Sequence, residues 1–379
     1  HFKVKSLILV HKEFLMNQWK ERINEFLPNA KIGIIQGPKY DTVNKDIVIG
    51  MIQSISQKEY PDYVFKDFGF IVGDEVHHLG ADNLQNIFNI NSSRRLALSA
   101  TPERQWDDQG NQKILEYFGK TVFEYDIQQA INDGYLAHYT YHPLFAEMTQ
   151  EEFQEYYELT KQISQETAKH KQKEKQTGIK LSLTPFHKRL LEERALIKKK
   201  TNDKINVFEN WCRSTNQNQI LIFCEDTEQM DDLISVLNQT GKKYAKYKSD
   251  MSDSQKIKSL NFFKDAQIEL LLAIRCLDEG LDVPDCSACV IVSSSTSIRE
   301  FVQRRGRVLR ATNRLKIAKI FDIIVIPPSD YLPEQEYAAK SMIHSEMERL
   351  KIMADCADNR LDVINEIGQK LQYYEFNNM

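Results

Sequence analysis

The chain is poor in the features that mark secreted, membrane-spanning or zinc-bound proteins. No run of the 379 residues approaches the roughly 20 consecutive apolar positions that cross a bilayer. The opening HFKVKSLILVHKE lacks the basic, apolar and small-residue parts of a cleavable signal. These absences predict a soluble, cytoplasmic protein with no membrane partner. Cysteine is scarce: Cys212, Cys224, Cys276, Cys286, Cys289 and Cys356 contain one CxxC pair, without the second pair or HxxxH that a zinc site needs. Inert thiols are expected. Also absent is any glycine-rich phosphate loop, GxxxxGK[ST] or GxGK[ST]. Nothing else in the chain offers the run of backbone N–H groups and the Lys with which such a loop cradles phosphates. There is no internal sequence repeat.

Net positive charge is missing too, the formal total being −4. The charge is segregated, however. Residues 161–200 hold twelve Lys or Arg against Glu166, Glu174, Glu192 and Glu193, a local +8 that leaves −12 for the remainder. Segregated charge says more about partners than the total does. Helical spacing sets Lys169 and Lys173, and separately Lys171 and Lys175, one turn apart. This stretch is a candidate nucleic-acid grip, with a solvated linker as the alternative.

Short Val-, Ile- and Leu-rich runs recur along the chain: KSLILV (5–10), KIGIIQG (31–37), DIVIGMI (46–52), FIVGDE (70–75) and LALSA (96–100). Continuous apolarity suits strands covered on both faces of a parallel sheet. A helix between the first two carries Leu15, Trp19, Ile23, Phe26 and Leu27 on one face and ends near Pro28. Strands alternating with helices predict a doubly wound α/β domain over 1–145. From Thr149 to Arg213 the sequence is polar and helical, broken at Gly178 and Thr184–Pro185, and reads as a bridge over 146–213. The rhythm resumes with QILIFC (219–224), YAKYK (244–248), ELLLAI (269–274), CVIVSS (289–294) and KIFDIIVI (319–326), a second α/β domain over 214–328. A helical tail fills 329–379.

Ligands of parallel α/β sheets bind at the carboxyl ends of strands. Asp74 and Glu75 follow one such strand, with His77 and His78 just beyond. An Asp there can hold Mg²⁺ beside nucleotide phosphates, and a neighbouring Glu can activate water. An acidic helix start is the plainer reading of the pair alone. A metal hydrolase using Asp74, His77 and His78 is another, although the spacing is not HExxH. Ser99-Ala100-Thr101-Pro102 ends the next strand, where the hydroxyls cap a helix or couple the phosphate site to a bound polymer. The second half contributes LDEGLDVP (277–284) and QRRGRVLR (303–310), with four arginines in seven residues. Guanidinium groups stabilise the charge of a transferring γ-phosphoryl group.

Taken together, these motifs resemble superfamily 2 helicases of the DEAH-like kind. ILVHKEFLMNQW looks like their motif Ia, DIVIGMIQS like Ib, VGDEVHHLGA like II, LALSATPER like III and LIFCEDTEQMDDLISVL like IV. LDEGLDVPD and SIREFVQRRGRVLRA match motifs V and VI, and within the superfamily resemble XPB-like helicases and their bacterial and phage relatives. The resemblance covers about residues 5–326. It implies two RecA-like domains, ATP and Mg²⁺ as cofactors, and DNA or RNA as partner.

Residue by residue, it assigns Asp74 to Mg²⁺, Glu75 to the attacking water, and His77, Ser99 and Thr101 to coupling. Gly280 and Asp282 would meet the nucleotide with Gln303 nearby, and Arg307 and Arg310 would be arginine fingers. His11, Lys12, Gln53 and Ser54 fall where the first domain touches the nucleic-acid backbone. Ile274 stands where motif V usually has Ser or Thr, and His11-Lys12 replaces the commoner Pro-Thr. In this family the phosphate loop precedes motif Ia by one helix, which would put it upstream of His1. An ATP-dependent DNA translocase or helicase is expected. An RNA helicase, or a silent scaffold within a larger complex, are the alternatives.

Overall fold

The computed structural model describes residues 3–80, 82–99, 108–178, 181, 183–274, 286–293 and 317–371. The chain divides into two compact units, His1–Glu124 and Tyr125–Met379.

In the first unit the strands are β1 (Ser6–Val10), β2 (Ile32–Gln36), β3 (Lys39–Tyr40), β4 (Ile47–Met51), β5 (Phe70–Asp74) and β6 (Arg95–Leu98). They form one sheet in the order β3-β2-β4-β1-β5-β6, parallel except for the β2–β3 pair. The continuously apolar runs are buried on both faces, as their composition requires. Leu7 and Leu9 of β1 enter one hydrophobic cluster with Val48 and Ile71. Ile8 and Val10 enter another with Ile49, Val72 and the helix α1 (Glu13–Phe26). That helix buries Leu15, Met16 and Ile23, but Phe26 and Leu27 are 72% and 54% exposed. The expected apolar face therefore stops a turn early, because the helix ends at Phe26 and the chain leaves the sheet there. The helices α2 (Ile52–Gln57) and α3 (Asp108–Phe118) complete the unit.

The second unit begins with α4 (Ile127–Asn132), followed by β7 (His138–Glu147), α5 (Gln150–Thr177), α6 (Pro185–Lys199) and α7 (Asp203–Ser214). Then come β8 (Ile220–Cys224), α8 (Thr227–Thr240), β9 (Tyr244–Tyr247), α9 (Asp253–Lys264), β10 (Leu270–Ile274), β11 (Ala288–Ile291) and β12 (Ile317–Ile326). The helices α10 (Glu336–Ala354) and α11 (Arg360–Leu371) close it. Its sheet is parallel throughout, in the order β7-β12-β11-β8-β10-β9.

The expected boundary at 145 is corrected by β7, which pairs with β12 from His138↔Ile317 to Glu147↔Ile326 and so belongs to the second sheet. Its HYTYHPLFAE sequence hid it: Tyr139 and Tyr141 are fully buried while intervening positions are polar, and Pro143 suits an edge strand. The helical stretch 146–213 lies inside the second unit rather than forming a bridge. α5 ends on Gly178 in the left-handed conformation (φ +68°), and α6 starts from Thr184, whose hydroxyl accepts from the His187 N–H. The tail also packs onto this unit. Ile343, Leu350 and Met353 join the core of the β8–β10 layer, and Ala338 and Met342 meet Phe153 and Tyr156 of α5.

Candidate active site

Parallel pairing sets Asp74 at the carboxyl end of β5, with Asp74 beside Leu98 of β6 and Gly73 beside Leu9 of β1. The Trp19 indole of α1 donates to Asp74 Oδ2 at 2.8 Å. Burial pushes the Asp74 carboxyl above the usual carboxylate range. The Trp19 hydrogen bond works against that rise, the adjacent Glu75 adds to it, and His11 opposes it. A carboxylate whose charge is costly gains from a hard cation, and Mg²⁺ is commonly held by one or two carboxylates with water and phosphate completing the shell. Among the described residues no three His, Cys, Asp or Glu converge as a metal cage. The donor set therefore fits nucleotide-bound Mg²⁺ better than the hydrolytic metal of the Asp74–His77–His78 reading.

Glu75 follows with φ +50°, a conformation that non-glycine residues seldom adopt and that functional sites tend to hold. Its Oε2 is buried and has no hydrogen-bond partner within the protein. It lies 3.3 Å from His77 Nδ1, off the line of a hydrogen bond. The same nitrogen is 3.2 Å from Ser99 Oγ, just beyond β6. A carboxylate oxygen without a donor is free to accept a proton, while His77, 1% exposed, ties the acid to the next strand.

The rings continue outward. His78 lies 4.1 Å from His77 and stacks on His11 at 3.9 Å between centroids, with 29° between planes. The His11 carbonyl accepts from Gln53 Nε2 at 2.8 Å, and Ser54 Oγ accepts from the Gly37 N–H at 2.9 Å. His11, which the resemblance places among the backbone contacts, is buried beside the acids. Lys12 and Gln53 are exposed. The hydrogen bond of Trp19 to Asp74 and the stacking of His78 on His11 were missed by sequence reasoning. Trp19 carries the helical periodicity of a core residue, and nothing local reveals that its N–H reaches Asp74.

Thr101, Gly280, Asp282, Gln303, Arg307 and Arg310 lie outside the described residues. β10 and β11, which precede the last five in the sequence, are the two strands flanking β8. A buried polar cluster occupies this end of the second unit. Lys204 Nζ donates to Val292 O at 2.9 Å and contacts Ser293 Oγ at 3.2 Å. Ser293 Oγ in turn donates to Lys199 O and accepts from Gln229 Nε2. Nearby, Arg349 pairs with Asp322 and Glu346, Tyr141 donates to Asp322, and Lys198 pairs with Glu346. Burial lowers the Lys204 ammonium to about 7.

On the helical hairpin, Lys169, Lys171, Lys173 and Lys175 are all exposed at the end of α5, with Lys169 paired to Glu166 at 2.6 Å. Lys198, Lys199 and Lys200 are not available to a polymer in the same way. They pair with Glu346, with Glu225, and with Asp226 and Glu228. Burial pushes the Cys212 thiol up to about 12, which keeps it unreactive.

Two parallel α/β units, with a strand-end Asp-Glu pair joined through a histidine to the neighbouring strand, define a RecA-like nucleotide hydrolase. Residues 1–104 match the family described as the type III restriction enzyme res subunit, and residues 195–312 match the helicase conserved C-terminal domain. The DNA 3'-5' translocase XPB2 of Sulfurisphaera tokodaii is 28% identical over 352 residues, covering 87% of this chain and 74% of the relative. A putative ATP-dependent RNA helicase of Acanthamoeba polyphaga mimivirus is 36% identical over 129 residues, 34% of this chain and 24% of the viral protein. The fold is similar to that of the Pyrococcus furiosus Hef helicase domain, with TM-score 0.51 and 16% identity over 90% of this chain and 89% of that one. Together the two family matches and the translocase relative liken the chain to the superfamily 2 helicases, ATP-hydrolysing enzymes that act on nucleic acid, and among them to the XPB-like branch. No described helix is long and apolar enough to cross a membrane.

Proposed function

We propose that the protein is an ATP-driven DNA translocase. The observation that carries DNA over RNA is the extent of likeness. The relative named as a DNA translocase aligns over 87% of this chain, whereas the relative named as an RNA helicase aligns over 34%.

In this reading Asp74 holds Mg²⁺, which neutralises phosphate charge when bound. Glu75 takes the proton of the water that attacks the γ-phosphorus, and the bond to the bridging oxygen breaks to release ADP. By the resemblance, Gly280, Asp282 and Gln303 contact the nucleotide, and Arg307 and Arg310 stabilise the charge that develops. His77, Ser99 and Thr101 link that chemistry to the polymer. Lys12, Gln53 and Ser54 contact its backbone, and the exposed lysines of α5 add a sequence-independent grip.

The test is hydrolysis by the protein with matched DNA and RNA of one sequence. Stimulation by DNA is expected. Stimulation by RNA alone would make it an RNA helicase, and stimulation by neither would leave the scaffold reading.

A further inference from the structure

Buried His11 takes no part in the chemistry assigned above, yet it stands in contact with both halves of the first unit's machinery. Its carbonyl accepts from Gln53, one of the proposed backbone contacts, and its chain neighbour is Lys12. Its ring stacks on His78 at 3.9 Å, His78 lies 4.1 Å from His77, and His77 touches both Ser99 and Glu75. The packing partners come from three different strand ends: His11 after β1, His77 and His78 after β5, and Ser99 after β6. Close-packed rings have few alternative arrangements, so a displacement at one end is passed on rather than absorbed. Strand ends of a parallel sheet are held by the ladder on the inner side and are freer on the outer side, which leaves the ring stack to fix their mutual spacing.

We infer that His11 is a positioning residue, which relays backbone contact at Lys12 and Gln53 through the His11–His78–His77 stack to the Glu75 carboxylate. The inference rests on the proposed function, since it concerns how a polymer stimulates hydrolysis. It also distinguishes the ring from its charge. Stacking needs an aromatic face at position 11, not a titrating nitrogen, so Phe should serve where Ala does not.

The experiment compares the ratio of DNA-stimulated to unstimulated hydrolysis in the protein for wild type, His11→Ala and His11→Phe. His11→Ala should lose about ten-fold or more of the stimulation ratio, a size typical of coupling between sites. His11→Phe should recover most of it. A His11→Ala, Ser99→Ala double variant should lose little more than the worse single variant, because both interrupt one path. Independently of hydrolysis, ¹⁵N-histidine spectra of the 379-residue chain should show the His77 and His78 resonances shifted by His11→Ala and near their wild-type places in His11→Phe. Full stimulation in His11→Ala, or His11→Phe as defective as His11→Ala, would overturn the relay. If the wild-type ratio is itself unity on every nucleic acid, the proposed function fails instead, and the spectra still report whether the stack is formed.

Discussion

In the first unit Glu75 sits at φ +50° with one carboxylate oxygen that no protein donor satisfies. In the second, Asp322 is fully buried yet accepts from Arg349 and Tyr141, and Glu346 is held by Arg349 and Lys198. Both regions bury charge, and they differ in whether it is matched. Burial raises Asp322 as it raises Asp74, and it takes Lys204 to about 7, a value that would suit a general base. Lys204, however, spends its donors on Val292 O and Ser293 Oγ, rooting α7 to the end of β11. The matched cluster holds the helical hairpin on the second sheet, whereas Glu75 keeps an oxygen without a protein donor, the oxygen that the proposed function gives to water.

The strongest way to break this contrast is Glu75→Gln in the protein. Loss of the base should lower hydrolysis by about 10²–10⁴-fold with nucleotide binding largely retained, because the amide keeps the shape. Nucleotide titration beside steady-state turnover separates the two, and near-normal turnover would remove Glu75 from the chemistry. Arg307→Ala and Arg310→Ala should each cut turnover by about 10³-fold if they act as arginine fingers.

Arg349→Met should act on stability instead, leaving Asp322 and Glu346 buried without their shared partner. Removing one member of a buried ion pair costs about 3–5 kcal/mol, read by urea unfolding of the second unit. A loss under about 1 kcal/mol would show that the cluster does not hold the hairpin down. Lys204 gives a smaller effect with a definite sign. Its ammonium titrates near 10.5 when unfolded and at about 7 when folded. Between those values the unfolded chain binds more protons, so this group makes stability climb with pH; below 7 both states are charged and its contribution is flat. One proton sets a limit of about 1.4 kcal/mol per pH unit. Unfolding free energies from pH 7.5 to 9.5 should therefore rise more steeply for wild type than for Lys204→Met, and parallel curves would contradict the buried ammonium.

Smallest in free energy is the hairpin. Replacing Lys169, Lys171, Lys173 and Lys175 by Gln should weaken DNA binding across sequences and flatten the slope of log K against log salt by about two to four, at about 0.9 per phosphate. Lys169 already has Glu166 as a partner, which favours the lower end of that range. An unchanged slope would leave the hairpin a solvated spacer.

Much of the fold was legible because parallel strands covered on both faces must be apolar throughout, as SLILV, ILIFC and LLLAI are. β7 was not, since an edge strand needs only one buried side and can carry His138, His142 and Pro143. The acids were legible from their place at a strand end, and the Ser99 link from the motif order. The contacts of His11 and Trp19 were not legible for a common reason: they come from rings and hydrogen bonds between residues up to 67 positions apart, which local periodicity does not encode. Lys198, Lys199 and Lys200 were counted as free charge, although their carboxylate partners lie in α8, α10 and the turn after β8.

The central claim, ATP-driven movement along duplex DNA powered at Glu75, is tested most directly by displacement of a triplex-forming strand from a duplex. The protein should displace it with ATP and Mg²⁺, at a rate that falls with distance to the triplex, and Glu75→Gln should bind the duplex and leave the third strand in place. Displacement by Glu75→Gln, or by wild type with a non-hydrolysable nucleotide, would contradict the account.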